Sequence, residues 1–568
     1  MSRLLVIVAI LAGALLQGCA GPAATTAGQT PLPAVVCSRP NTAVGAYYDL
    51  IGTADPEFAR LVAAFPKGGD IHNHLSGAVP PEDYIDLGAG EGACFGPDAS
   101  SPGRYAIRPN SGAPGSCAPG DLPLARATAG DRERLVASLS MYRFDYPDIQ
   151  AGHDQFFATF GRFGALSGQD RNMPALLVKL LRQADRDNVG YVETMVSFRS
   201  ADVGGLATRL GRACPSPAHY TDSGHYPAMF DLLLAAGLGE TVTAARREMD
   251  RGLGRTRELL RCGSRDEDPA CGVALAFQAS MNRNSSLKDG SADLAKMFAQ
   301  AAFAFLLADS DSRVVGVNLV SGEDLPVSME NFSTQMGIVG WFHDRFPRVN
   351  IALHGGELTP CFVGAGNPAL KEHLTGSIRA GAKRIGHGVS FAYLDDRDKG
   401  EVAALMKGSD TLVEIPFTSN AQILGVAGDR HPFPDYLRRY GVPVALATDD
   451  EGVSHSDFTA EWLYAFLAYG LTYDEAVRLA RASIQYGFLA GTPLWRDLSP
   501  ATVAEPCAGL SPGGPVPPGS ACAGFLAGSP RASVQWAYEA RLARFDRDHG
   551  PALRSFLGHR GSRPAPFP

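Results

Sequence analysis

Four short stretches of this chain carry metal-binding or proton-transferring side chains at spacings that can do chemistry. They are His72-Asn73-His74, His354-Gly355-Gly356-Glu357, Arg384-Ile385-Gly386-His387-Gly388 and Thr448-Asp449-Asp450-Glu451. Histidines two apart on a strand point to the same face, so His72 and His74 can converge on one cation. A lone His-x-His is common by chance, and its weight here comes from the other three stretches. Three imidazoles and a carboxylate, His72, His74, His354 and Asp449, suit a zinc ion that keeps one position open for water, with one Zn2+ expected per chain. Such an ion lowers the pKa of its water toward about 7. A nearby base must still orient that water and take a proton, and His387 is placed for it. With those four histidines set apart, the other nine of 13 read as surface or internally satisfied side chains.

Side chains so far apart in sequence need a frame that gathers them. Eight apolar runs rich in Val, Ile, Leu and Ala, at 69–75, 190–198, 272–279, 314–320, 350–354, 384–389, 412–417 and 442–447, read as strands. Helical periodicity in the intervals, as at 175–186, 292–307 and 473–489, predicts helices between them. Strands that are apolar throughout and alternate with helices form a parallel sheet covered on its outside, and eight of them predict a closed (β/α)8 barrel. The four chemical stretches then fall at the same ends of strands one, five, six and eight, where barrel enzymes build their sites. An open doubly wound sheet is the alternative, but no Gly-rich phosphate loop follows any strand. The intervals 76–188 and 199–269 exceed a simple helical connection and read as insertions after the first two strands, shaping access to the pocket.

The chain has 568 residues, enough for one large domain with additions or for two to three average ones. Its net charge of -8 gives no electrostatic footprint for a polyanion, so nucleic acid is not an expected partner. Residues 1–18 read as a signal peptide: Arg3, an apolar run over 4–16, then Leu16-Gln17-Gly18-Cys19. That ending resembles a bacterial lipobox, which implies cleavage before Cys19, acylation of its thiol, and an exported lipoprotein on the periplasmic or cell-surface face of a membrane. The alternative is an ordinary secretory signal with a chance cysteine. Residues 19–45 then form the lipidated Cys and a flexible tether, 46–498 the barrel with its insertions, and 499–568 a Pro/Gly-rich segment followed by a helix at 532–548. Membrane contact is expected through the lipid only, and oligomeric state is not legible.

Ten cysteines in an exported chain imply disulfides. Short separations pair Cys94 with Cys117, Cys262 with Cys271 and Cys507 with Cys522. Cys361, just beyond a metal-site motif, is the candidate free thiol, which leaves Cys37 for Cys214.

The strings HNHLSGA, YVE at 191–193, HGGE, RIGHG, TSN at 418–420 and TDD, in that order over about 66–465, resemble the motifs of the adenosine deaminase family of metal-dependent amidohydrolases. The exported, cysteine-stapled form with long insertions is closest in style to the adenosine deaminase-related growth factor branch. The resemblance implies that His72, His74, His354 and Asp449 hold zinc and that Glu357 gives a proton to purine N1. It further implies that His387 steers the water attacking C6, with Asp449 part of the same catalytic set, and that Asp450 hydrogen-bonds N7. Three departures stand out. Ser76 replaces an Asp associated with the sugar 5′-hydroxyl. Asn318-Leu319-Val320-Ser321-Gly322 replaces DLAG-type strings, so Ser321 or Gly322 is the expected backbone contact to N3. Glu451 replaces a Pro.

The implied reaction is zinc-dependent deamination of adenosine and 2′-deoxyadenosine, with a small purine nucleoside as the partner. The alternatives are a deaminase of adenine, AMP or a modified nucleoside, and an inactive cell-surface nucleoside-binding module. AMP asks for basic residues near the pocket, Arg384 being one candidate.

Overall fold

In a computed structural model, residue 37 and residues 41–113, 116–284, 290–498 and 501–559 are described. The expected signal peptide, Cys19 and most of the tether lie outside them. All eight expected strands form: β1 (Gly69–His74), β2 (Tyr191–Val196), β3 (Ala274–Asn282), β4 (Val314–Val320), β5 (Asn350–Gly355), β6 (Arg384–His387), β7 (Leu412–Ile415) and β8 (Val444–Leu446). They pair in parallel in chain order, β1 beside β2 through to β7 beside β8. The ring closes through a parallel bridge between Asn73 and Asp449. His74 N–H donates to the Asp449 carbonyl at 3.0 Å, and Asp449 N–H donates to the His72 carbonyl at 2.9 Å. The seam that closes the barrel is thus made by the residues expected to bind metal.

Of the elements that end earlier than expected, three stop for a clear local reason. β6 stops at His387 because His387 (φ 67°) and Gly388 (φ 61°) turn left-handed. β7 stops before Pro416, which has no N–H for the ladder, and the helix Phe417–Leu424 starts there. The helix expected over 473–489 ends at Gln485, because the chain turns to bring Phe488 N–H onto Glu193 Oε1 at 2.5 Å.

Both long intervals are insertions at the mouth end. The first holds a three-stranded antiparallel sheet (Cys94–Pro97, Tyr105–Arg108, Leu122–Pro123) and two long helices, Ile149–Ser167 and Met173–Arg186. The second is helical, with Ser200–Ala213, Tyr226–Ala235 and Leu238–Leu259 its main elements. The C-terminal helix Pro530–Asp548 packs on the barrel's own helix Tyr473–Gln485, tied by Arg481 to Glu539 at 2.9 Å. Among the described residues no single helix is long and apolar enough to cross a membrane.

Disulfides join Cys94 to Cys117, Cys262 to Cys271 and Cys507 to Cys522. The remaining assignments are corrected: Cys37 bonds Cys361, and among the described residues Cys214 is the free thiol, buried. Sequence separation misled here. The partners lie 324 residues apart, while Cys214 ends a helix in the second insertion and packs in its core.

Candidate active site

The C-terminal ends of β1, β5, β6 and β8 bring His72, His74, His354, His387 and Asp449 together. His72 Nε2 and His74 Nε2 each stand 3.2 Å from Asp449 Oδ1, and His74 Nε2 stands 3.2 Å from His354 Nε2. Ligands about 2.0 Å from a tetrahedral zinc ion are about 3.3 Å apart, so these contacts match the edges such an ion spans. The proton positions agree. His72 Nδ1 donates to Glu414 Oε2 at 2.7 Å and His354 Nδ1 to Asn318 Oδ1 at 3.0 Å, which leaves both Nε2 lone pairs facing the Asp449 carboxylate and His74. Lone pairs that converge on lone pairs in a buried place call for a cation among them. The second oxygen of Asp449 accepts from Ser419 Oγ at 2.6 Å.

His387 also reaches this group, and His72, His354, His387 and Asp449 can by distance share an ion, as can His74, Asp449 and Asp450. The contacts separate the roles. His387 Nε2 is 3.7 Å from Asp449 Oδ2 and 3.8 Å from Glu357 Oε1, looser than the 3.2 Å contacts and set between the donor set and Glu357. His387 and Asp449 both have positive φ, at 67° and 58°. Held strain of that kind clusters at functional sites. The glycine before His387 has a steric cause: a Cβ on Gly386 would lie 2.4 Å from His72 Cε1.

Beneath His72 runs a buried ionic chain that the sequence reading missed. Glu414 Oε1 pairs with Arg384 Nε at 2.7 Å, and Arg384 Nη2 with Glu193 Oε2 at 2.7 Å. Arg384 also stacks on Phe488, 3.8 Å from its ring centre. Arg384 is therefore enclosed in the barrel and is no phosphate ligand. A charged residue in the otherwise apolar Leu412-Val413-Glu414-Ile415 was the available signal for Glu414.

Glu357 is buried, and its backbone N–H donates to Glu323 Oε2 at 2.6 Å. Glu323 is held by His373 at 2.8 Å and Arg283 at 3.5 Å, which keep it ionised below its ordinary range despite burial. Burial, followed by the Asp449, Glu323 and Asp324 charges, pushes the Glu357 carboxyl well above its ordinary range. Burial likewise raises Asp450 to about 8 and holds His354 and His387 below 6.5. Of the nine histidines read as surface or internally satisfied, His153, His373 and His431 are of the second kind, buried and hydrogen-bonded around this site.

The group opens on a cavity of about 450 Å3, within the range of small-molecule sites. His74, His354, Glu357, His387, Asp449 and Asp450 line one part of it, and Ser76 and Ser321 are also on the wall. The helix Ile149–Ser167 contributes Phe156, Phe157 and Phe160, so the first insertion supplies the apolar wall. Gly322, expected at N3, is not on the wall, and its carbonyl accepts from Asn284 Nδ2 at 2.6 Å. Glu451 is also off the wall, bonded by Gln183 at 2.5 Å.

The adenosine deaminase family profile matches residues 296–493. The chain is 30% identical over 141 residues to the adenosine deaminase of Enterococcus faecalis, covering 25% of this chain and 40% of that one. It is 30% identical over 200 residues to that of Pectobacterium atrosepticum, covering 32% and 56%. The matches thus span about half the length of these relatives or less. Among solved structures, the N6-mAMP deaminase of Arabidopsis aligns with a TM-score of 0.45 at 18% identity, over 76% of this chain and 96% of that one. The profile match takes in β4 to β8 and with them His354, Glu357, His387 and Asp449, so it is this part of the barrel that is similar to the adenosine deaminase family.

Proposed function

We propose that the protein removes the 6-amino group of adenosine and 2′-deoxyadenosine by hydrolysis, releasing inosine or deoxyinosine and ammonia. The observation that carries this is a buried carboxyl, Glu357, facing a His/His/His/Asp donor set in one cavity with His387 between them. His72, His74, His354 and Asp449 would hold the zinc ion. Bound there, it would acidify water at neutral pH.

The chain's own groups do the rest. Burial keeps Glu357 protonated, so it can give its proton to purine N1, which breaks the ring conjugation and makes C6 electrophilic. Purine N7 can only accept, and Asp450 in its protonated form can donate to it. His387 Nε2 faces the space between Asp449 and Glu357, where it can hold the water that adds to C6. Water supplies the oxygen that stays on C6. One of its protons leaves on ammonia, and the other restores Glu357. The aromatic wall of Phe156, Phe157 and Phe160 offers stacking surface and excludes bulk water.

We also propose an exported protein anchored through Cys19, a reading supported by the lipobox-like string and by four disulfides, which persist in oxidising compartments. The test of function uses zinc-loaded protein lacking residues 1–18, with the 6-amino chromophore followed for adenosine, 2′-deoxyadenosine, adenine and AMP in parallel. Turnover of adenosine is expected. No turnover of any of the four would remove the deaminase reading.

A further inference from the structure

The amide of Asn420 stands between two imidazoles, placed with Oδ1 2.9 Å from His387 Nδ1 and Nδ2 2.9 Å from His431 Nε2, an orientation that the hydrogen-bond network reverses. All three side chains are buried, so each hydrogen bond must come from this set. An amide's oxygen and nitrogen have the same size, and the network decides which faces which neighbour. The fixed point is the far end of the chain: Phe433 backbone N–H donates to His431 Nδ1 at 3.1 Å. A backbone N–H can only donate, so His431 Nδ1 carries no proton. Burial also holds His431 down to about 3, so the ring is neutral and its one proton sits on Nε2. His431 Nε2–H must then donate to the Asn420 amide, which turns the amide oxygen toward His431. The NH2 is left facing His387 and donates to Nδ1. With Nδ1 accepting, His387 carries its proton on Nε2.

A second observation, independent of the first, gives the same answer. His387 Nε2 lies 3.7 Å from Asp449 Oδ2 and 3.8 Å from Glu357 Oε1. A lone pair there would face the Asp449 carboxylate, which can only accept, whereas an N–H points toward it and into any water held between.

We propose that His431 and Asn420 are positioning residues that fix His387 as the Nε2–H tautomer, so that in the resting protein His387 presents a hydrogen-bond donor, not a base, to the attacking water. The water oxygen accepts from His387 and its own hydrogens stay free for the acceptors around it. The kinetic consequence rests on the deaminase reading, but the tautomer itself does not.

The test is nitrogen-15 NMR on zinc-loaded protein with labelled histidine, the His387 signals being assigned by their loss in His387→Gln. A protonated ring nitrogen and a bare one resonate far apart, so the two tautomers are distinguished without turnover. The expected result is a bare Nδ1 and a protonated Nε2 at His387, and the reverse at that residue in Asn420→Asp, whose carboxylate can only accept. In kinetics, Asn420→Asp is expected to lower kcat about 100-fold with KM changed far less, and His431→Leu to fall between it and the wild type. A protonated Nδ1 at His387 in the wild-type protein overturns the proposal, and this measurement decides even if Asn420→Asp does not fold. Should no purine be deaminated while Nε2 proves protonated, the deaminase reading falls and the tautomer stands.

Discussion

Asp450 occupies the space that a side chain on Gly77 would fill: a Cβ built on Gly77 would lie 1.6 Å from Asp450 Oδ1. Gly77, just after β1, and Asp450, just after β8, are thus fitted to one another across the barrel seam. Gly77→Ala must push Asp450 away from its place on the cavity wall. The expected outcome is a folded, zinc-binding protein with kcat/KM for adenosine down about 10- to 100-fold, a loss the size of one or two good hydrogen bonds to substrate. Metal content and deamination rate, measured on the same preparation, check it.

Glu357 makes a pH prediction whose sign follows from its role. A proton donor works only while protonated, and burial together with the Asp449 and Glu323 charges raises its pKa well above the ordinary range. Activity should therefore persist through neutral pH and fall as pH rises through that raised value. Glu357→Gln should keep zinc, lose about 100- to 10,000-fold in kcat, and lose this limb of the kcat profile. Turnover left intact by the substitution would take Glu357 out of the mechanism.

Glu414 never touches the cavity, yet it accepts from His72 Nδ1 and is itself pinned by Arg384. Partners of metal-bound imidazoles typically set metal affinity by 10- to 100-fold. Glu414→Gln is expected to weaken zinc binding by about that factor, read as faster loss to a chelator, while saturating zinc restores most of the rate. Unchanged zinc release would show that His72 needs no such support.

The strands and the reaction centre were legible because both announce themselves by type and spacing. Apolar runs that alternate with helical intervals read as buried strands, and the His-x-His and His-x-x-Glu stretches gain their weight from falling at the same strand ends. What stayed hidden depends on contacts between distant segments. Asn420, Asn318 and Glu414 acquire meaning only when the barrel sets them behind His387, His354 and His72. The same holds for Cys37 and Cys361, whose pairing joins segments 324 residues apart and leaves no trace in local pattern.

That disulfide closes a separation of 324 residues and lands four positions after Glu357. Cross-links over long loops typically stabilise by about 2–4 kcal/mol. Cys361→Ser should lower the melting midpoint by a few degrees, and Cys37→Ser should lower it equally. The double substitution should cost no more than either single one, because the two thiols share one bond. Additive losses in a thermal melt would contradict the pairing.

Discrimination against nucleotides is predicted from the charges around the cavity. Among the described residues on its wall there is no Lys or Arg, while Asp170 and Glu248 stand there from the two insertions. Arg199 pairs with both, at 3.5 Å and 3.2 Å, and is committed to Asp202 as well, so its charge is already balanced. With C6 at the reaction centre and N1 and N7 flanked by Glu357 and Asp450, N9 and its sugar point away from the donor set toward the rest of the cavity. A 5′-phosphate would then meet carboxylates with no free cation among the described residues of the wall to offset them, and like-charge juxtaposition costs several kcal/mol. AMP should be deaminated at least about 100-fold less efficiently than adenosine, with the gap narrowing in Glu248→Lys and as ionic strength rises. Comparable kcat/KM for the two substrates would place a cation at the sugar end that these residues do not provide.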